Sequence, residues 1–414
     1  MKRSLQVGLV ISLFLLSFTS TGAASTFASE ACPSWEIKLT AEDLTANAEF
    51  GRSVAIENNL VAVGAGSADA GPIPTAGAVY LFKSQGLGYV QEAKLIATDA
   101  TPGAEFGRAV AIQGDTVVVG ARFAEVGDQT KAGAAYVFRK SSRSWFLEAK
   151  ITSPTPENED NFGRAVAIHA NLLVVTARKE NLGADDVGAA YVFRRRSNRW
   201  IYETKLTASD PTPEGYFGQS VAVQGNLIVV GARNADPNGA GAVYLFCQIG
   251  KEWVEVAKLT PPDGKSDNQF GFTVAMAGNL IAVGARRADL PGAKDAGAAY
   301  LFAVTGDDAP LVAKLTANDA MAGDQFGQSM AMTGGMIAVG ANRIDIGANK
   351  DQGGVYLFQR MGNEWLEHET LTASDGEAGD EFGYSLAAFG NFLVTGAHLA
   401  DLTEGAAYVM PLKP

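Results

Sequence analysis

Histidine and cysteine are scarce in this chain. Three His and two Cys among 414 residues leave little material for a metal cluster or a nucleophile–base pair. His169, His368 and His398 are widely separated in the text, suggest no Ser-His-Asp grouping, and are expected on the solvated surface. Cys32 and Cys247 do not make a disulfide framework, and no pairing between them is expected. Basic excess is also missing. A formal net charge of -12 runs against the electrostatic footprint of a protein that follows phosphate backbones, so nucleic acid is an unlikely partner. Long apolar runs are missing too, with one exception. Val7–Phe18 is apolar except for Gly8, Ser12 and Ser17; it follows Lys2 and Arg3 and precedes small residues from Thr19 to Ser29. That order reads as a secretory signal peptide over residues 1–29, cleaved between Ala23 and Ser29. The run is short for a bilayer span, which takes about 20 residues. An uncleaved anchor is the alternative; no stable span is expected after cleavage. The expected location is outside the cytoplasm: extracellular, at the cell surface or periplasmic.

What the chain has in abundance is a repeat. A Phe-Gly pair recurs at Phe50, Phe106, Phe162, Phe217, Phe270, Phe326 and Phe382, with spacings of 56, 56, 55, 53, 56 and 56 residues. A fixed period of this length marks a repeat architecture. No linker interrupts it, so residues 30–414 are read as one domain.

The unit Phe217–Thr260 shows what is repeated. "FGQSVAV" alternates small or apolar residues with others, "QGN" is a hairpin turn, and "LIVVGA" is a continuous apolar run fit for a strand buried on both faces. After the loop "RNADPNGA" comes "GAVYLF", rich in aromatic and β-branched residues. "WVEVAKLT" alternates like an outer strand. Each unit therefore supplies four short strands, A to D, and no helical period. Seven such units fit an all-β, seven-bladed β-propeller, with strand A nearest the axis and strand D outermost. The rival is an open solenoid. The first repeat strand, "WEIKLT" at 35–40, reads as a D strand, and the last, "GAAYVM" at 405–410, as a C strand. The N-terminal strand thus completes the final blade and closes the ring, which removes the ends a solenoid must cap. The aromatic of each Phe-Gly pair is expected to wedge between blades, with Gly permitting close backbone approach.

These residues resemble the FG-GAP repeat family, known from the N-terminal propeller of integrin α subunits. The words that carry the likeness are Phe-Gly and the Val-Gly-Ala ending strand B at 63–65, 119–121, 230–232, 283–285 and 339–341, with Thr176 and Thr395 deviating in the other two units. The chain is most similar to the bacterial, secreted branch. The resemblance implies an interaction or adhesion module, not an enzyme. Several integrin blades carry Ca²⁺ loops between strands A and B, and Ca²⁺ needs six to eight oxygens. Here those turns read "ENN", "QGD", "HAN", "QGN", "AGN", "TGG" and "FGN", with no carboxylate pair in any of them. The family's calcium sites are not expected to carry over, and no cofactor is expected, apart from weak Ca²⁺ binding by the Asp-rich loops.

Those Asp-rich loops are the D–A and B–C connections, which open on one face. The D–A loops carry Asp43, Asp99, Asp210, Asp263, Asp319 and Asp375, and the B–C loops Asp69, Asp236, Asp289, Asp345 and Asp401. One acid per blade at a fixed position is what loop structure produces, because Asp accepts bonds from backbone N–H groups. Two arginine sets are the ligand-binding candidates. Arg122, Arg178, Arg233 and Arg286 follow the Gly-Ala (Thr-Ala in the third unit) that ends strand B. They either grip carboxylates of a ligand or glycan, or pair with Asp residues of neighbouring loops. Arg52, Arg108 and Arg164 follow Phe-Gly in the first three units only, an asymmetry that repetition does not explain and that points to the channel. The expected partner is a protein or a glycan, the latter in a lectin-like reading, on an acidic D–A/B–C face with isolated Arg. A monomer is expected.

Overall fold

Strand B of every unit is an unbroken apolar run, and in the computed structural model it is buried along almost its whole length. Leu60–Ala65, Thr116–Ala121 and Leu172–Ala177 are buried throughout. Strand C, as in Ala78–Gln85, is buried until its last three residues, whereas strand D, as in Gly88–Leu95, turns mostly outward. The structure describes residues 36–142, 144–236, 238–306 and 308–413. The signal segment 1–29, Cys32 and Trp35 lie outside the described residues.

Seven antiparallel sheets of four strands follow one another, and no helix occurs among the described residues. Blade 1 comprises Phe50–Glu57, Leu60–Ala65, Ala78–Gln85 and Gly88–Leu95 in sheet order. Each A strand lies against the A strands of its two neighbours, blade 7 against blade 1 included, so the sheets form a closed ring with the A strands around the axis. Blade 7 takes its outer strand from the other end of the chain: Ile37 pairs with Val409, Lys38 with Tyr408 and Leu39 with Ala407. The seven-bladed propeller closed by the N-terminal strand is therefore the architecture observed.

The Phe-Gly pair does three things at once. Its Phe is buried between blades; Phe106, for example, packs in one cluster with Val79 and Leu81 of blade 1 and Tyr136 of its own blade. The seven Phe rings meet the strand-C Tyr of their blade with centroids 5.3–5.5 Å apart, contacts worth about 0.5–1.5 kcal/mol each beyond buried area. The Phe N–H donates to the preceding blade, at 2.9 Å from Phe106 to Ala76 O and 2.9 Å from Phe50 to Glu404 O across the closure. The Gly adopts a left-handed conformation, with φ of 92° at Gly51 and 94° at Gly107. This breaks the A–B ladder: Phe50 pairs with Ala65, but the next partners are Ser53 and Gly64. The resulting bulge turns residue 52, and its equivalents, out of the sheet.

The acids of the D–A loops serve the blades. Asp99 accepts from Tyr136 Oη at 2.8 Å and pairs with Lys150. Asp210 accepts from Tyr244 at 2.9 Å and Lys258 at 2.7 Å, and Asp375 from Tyr408 at 2.9 Å and Lys38 at 2.7 Å. Lys38 belongs to the closing strand and bonds as a native D-strand Lys does. Burial raises the carboxyl pKa of Asp99, Asp210 and Asp375, and the Lys and Tyr bonds outweigh it, holding each below the usual range. In blade 3 Thr155 stands at the Asp position; Ser153 donates to Tyr191 Oη at 3.1 Å, and Glu180 of the B–C loop supplies the carboxylate to Tyr191 at 2.6 Å and Lys205 at 3.0 Å. B–C acids hold their own loops: Asp69 accepts from Thr75 N at 2.9 Å and Asp289 from Asp295 N at 3.0 Å.

Removing residues 30–40 should expose the backbone edge of Ala406–Pro411 and strip Asp375 of its lysine. The melting temperature should then fall by many degrees; an unchanged melting curve would contradict closure by this strand.

Candidate functional site

Because a left-handed Gly follows Phe in all seven units, seven side chains are re-aimed at the axis at the D–A/B–C end. They are Arg52, Arg108, Arg164, Gln219, Phe272, Gln328 and Tyr384, and with the two residues that follow each they line an axial cavity of about 260 Å³. The asymmetry seen in the sequence becomes geometry here. Three consecutive blades present guanidinium groups to the channel, Tyr384 of blade 7 stacks beside Arg52 at 4.7 Å, and Phe272 of blade 5 lines the far wall.

The second arginine set converges on the same place. The expectation that Arg122, Arg178, Arg233 and Arg286 pair with Asp residues of neighbouring loops is not met, because those Asp groups are held by Lys, Tyr and backbone donors. Their partners are instead the residues flanking Phe-Gly. Arg122 forks onto Glu105 at 2.7 and 2.9 Å. Arg178 reaches Gln219 of the next blade at 3.1 Å. Arg286 bonds Gln269 at 2.8 Å and Gln328 of the next blade at 2.9 Å, and stacks on Phe272 at 3.8 Å. Arg233 stacks on Tyr216 at 4.7 Å. The arginines are therefore not isolated on an acidic face, which corrects the expectation: they form two tiers around the channel mouth.

Seven arginines gather here against Glu49, Glu105 and Glu381. Arg52 is 3.6 Å from Glu49, and Arg108 is 3.7 Å from Glu105, which Arg122 already occupies. Arg164 makes no ion pair or side-chain hydrogen bond among the described residues. The Nε atoms of Arg52, Arg108, Arg164, Arg178 and Arg233 are buried and meet no acceptor among the described residues. Burial lowers Arg108 to about 10, with Arg52 and Arg122 adding repulsion; burial and then Arg233, Arg122 and Arg108 bring Arg178 to about 10. Arg164 falls well below its ordinary value through burial and then Arg108, Arg178 and Arg122. Arg108 and Arg178 remain cations at neutral pH.

The sequence reading placed all three His on the surface. His398, which stands where blades 2 to 5 have Arg, is instead 4% exposed; its ring lies 3.9 Å from that of Tyr384. Burial, followed by Arg52 and Arg108, lowers its pKa to about 2. His368 is exposed as expected, and His169 accepts a bond from Gly225 N of the next blade at 3.2 Å. Burial of His398 was missed because the strand B to strand C loop looks solvent-facing in text. The signal that could have found it is its register with Asn342 of blade 6, which is also buried.

The unfolded chain protonates His398 near pH 6.5 and the folded chain does not. That site therefore costs stability as pH falls below 6.5, by about 1.4 kcal/mol per pH unit. His398→Asn, the blade 6 residue, should flatten the stability profile between pH 6.5 and 4.5 by that slope. An unaltered slope in denaturant titrations would contradict the buried neutral imidazole.

No helix among the described residues is long and apolar enough to cross a membrane. A comparison with curated proteins returned no match. The FG-GAP repeat family matches the chain seven times, at residues 34–82, 89–138, 145–193, 200–246, 253–302, 310–358 and 365–410. Each match runs from the outer strand of one blade through strand C of the next; together they cover most of the chain, which belongs to the FG-GAP repeat family.

Proposed function

We propose that this protein is a non-catalytic interaction module, exported from the cytoplasm, that takes its ligand on the D–A/B–C face. FG-GAP propellers are in general interaction folds rather than enzymes. The observation that carries the reading is the contrast between the two faces. The A–B turns are two residues long, as at 58–59 and 114–115. The B–C connections are long and pinned, as Arg122–Ala132 is by Arg122 on Glu105 and by paired bonds between Val126 and Gln129. Varied loops on a rigid scaffold are where binding residues concentrate. The order of basic, apolar and small residues over 1–29 supports export.

The lectin-like alternative wants an aromatic repeated on the ligand face. The repeated Trp at 145, 200, 253 and 365 instead lies at or beside the start of strand D, partly buried against the blade cores. That placement favours the non-lectin reading.

Pull-down from the native surroundings followed by loop exchange tests the reading. Short Gly-Asn turns in place of Arg122–Ala132 and Arg286–Ala296 should abolish capture of the partner, while changes to the A–B turns should leave it intact. The opposite pattern would place the ligand on the other face.

A further inference from the structure

The arginine cluster at the channel mouth is larger than the fold requires. Blades 4 to 7 do without Arg at the position after Phe-Gly, using Gln219, Phe272, Gln328 and Tyr384, and keep the left-handed Gly before it. Blades 1, 6 and 7 do without it after Gly-Ala. Structural need accounts for Arg122 on Glu105 and Arg286 on its two glutamines. It does not account for Arg108 and Arg164, which crowd one another with no carboxylate of their own. Gathering like charges in a partly desolvated site is costly, and this one sits in a chain of net charge -12. A charged cleft with low-dielectric walls focuses its field and concentrates counter-ions. Guanidinium groups add geometry to charge, because their planar forks match the oxygens of carboxylate and phosphate.

We infer that the channel mouth is a binding site for a compact polyvalent anion, a carboxylate- or phosphate-bearing group held by Arg108 and Arg164 with Arg52 and Arg178 beside them. The anion lies against the guanidinium wall of blades 1 to 3, and any apolar part of the ligand faces Phe272 of blade 5. The cavity, about 260 Å³, admits a group the size of a small polycarboxylate or one acidic sugar. The ligand is either such a free anion or the acidic end of a glycan. This inference deepens the reading of the D–A/B–C face as the ligand face, and rests on it.

The test uses the full purified chain at constant ionic strength. Citrate, inorganic phosphate and an oligogalacturonate are titrated by calorimetry and by thermal shift, against neutral galactose oligomers. The variant is Arg108→Gln with Arg164→Gln, Gln being the residue blades 4 and 6 carry there. Without polyvalent anions the variant should melt at or above the wild type, since repulsion is relieved. Citrate should raise the wild-type melting temperature and bind the variant at least tenfold more weakly. Lys179→Gln, in the B–C loop of blade 3, with Lys251→Gln, in a C–D turn on the other face, should bind as the wild type does. If the double variant does not fold, Arg164→Gln alone should show the same direction of loss. Oligogalacturonate tighter than citrate identifies a glycan source; equal or weaker binding identifies a free anion. No anion-specific stabilisation, or equal affinity in wild type and variant, overturns the site. A partner whose capture survives the double substitution but not the loop exchange leaves the loop-face reading standing and removes the anion site alone.

Discussion

The ring depends on one contact made at nearly every blade boundary: backbone against backbone where two glycines meet. A Cβ added at Gly64 of strand B would collide with the carbonyl of Gly107 in the next blade, and Gly120, Gly231, Gly284, Gly340 and Gly396 stand in the same relation to Gly163, Gly271, Gly327, Gly383 and Gly51. The last of these pairs joins blade 7 to blade 1. A side chain at these points would push the A strands apart, and six such errors would not close a circle. Ser53, Ser220, Ser329 and Ser385 donate to the same carbonyls across the boundary at 2.6–2.9 Å, so the closest approach is also hydrogen-bonded. The one boundary without a strand-B Gly has Thr176, whose hydroxyl bonds Ala165 N at 3.0 Å within its own blade. That Thr brings its side chain against Gly218 of blade 4.

The same glycines set the chemistry of the mouth. The left-handed residue after each Phe makes the bulge, and the bulge turns the next side chain to the axis. Whatever residue follows Phe-Gly is thereby delivered to the channel, whether Arg, Gln, Phe or Tyr. Charge is sorted radially as a result. Acids of the loops are neutralised near the blade tips by lysines and tyrosines, and arginines collect at the centre. A chain with an overall acidic charge thus presents a basic mouth, and net charge alone says little about what the site prefers.

Much of this was legible in the text. The period gave seven units, the B-strand runs gave the buried strands, and the D-first, C-last order gave the closure through Ile37–Leu39. The structural role of the loop Asp residues also followed from their repetition. Three things did not. Arg108 lies in strand A and Arg122 in the B–C loop of one blade, and their meeting depends on the bulge angle, which no pattern encodes. The burial of His398 depends on Tyr384 turning over it from the bulge of the same blade. In blade 3, the carboxylate from Glu180 that stands in for the missing Asp is a compensation between two loops, visible only once both are placed.

The most direct test compares two left-handed glycines of blade 2 whose surroundings differ. Gly107 and Gly114 both have positive φ, 94° and 54°, but a Cβ at Gly107 meets the Ala78 carbonyl of blade 1 whereas nothing lies within 4 Å of Gly114. Unfolding free energy should fall by about 1 kcal/mol for Gly114→Ala, the conformational cost alone. For Gly107→Ala it should fall by about 3 kcal/mol or more, since overpacking adds to that cost. Equal losses at the two positions would contradict the claim that close glycine contact between blades holds the ring and aims its centre.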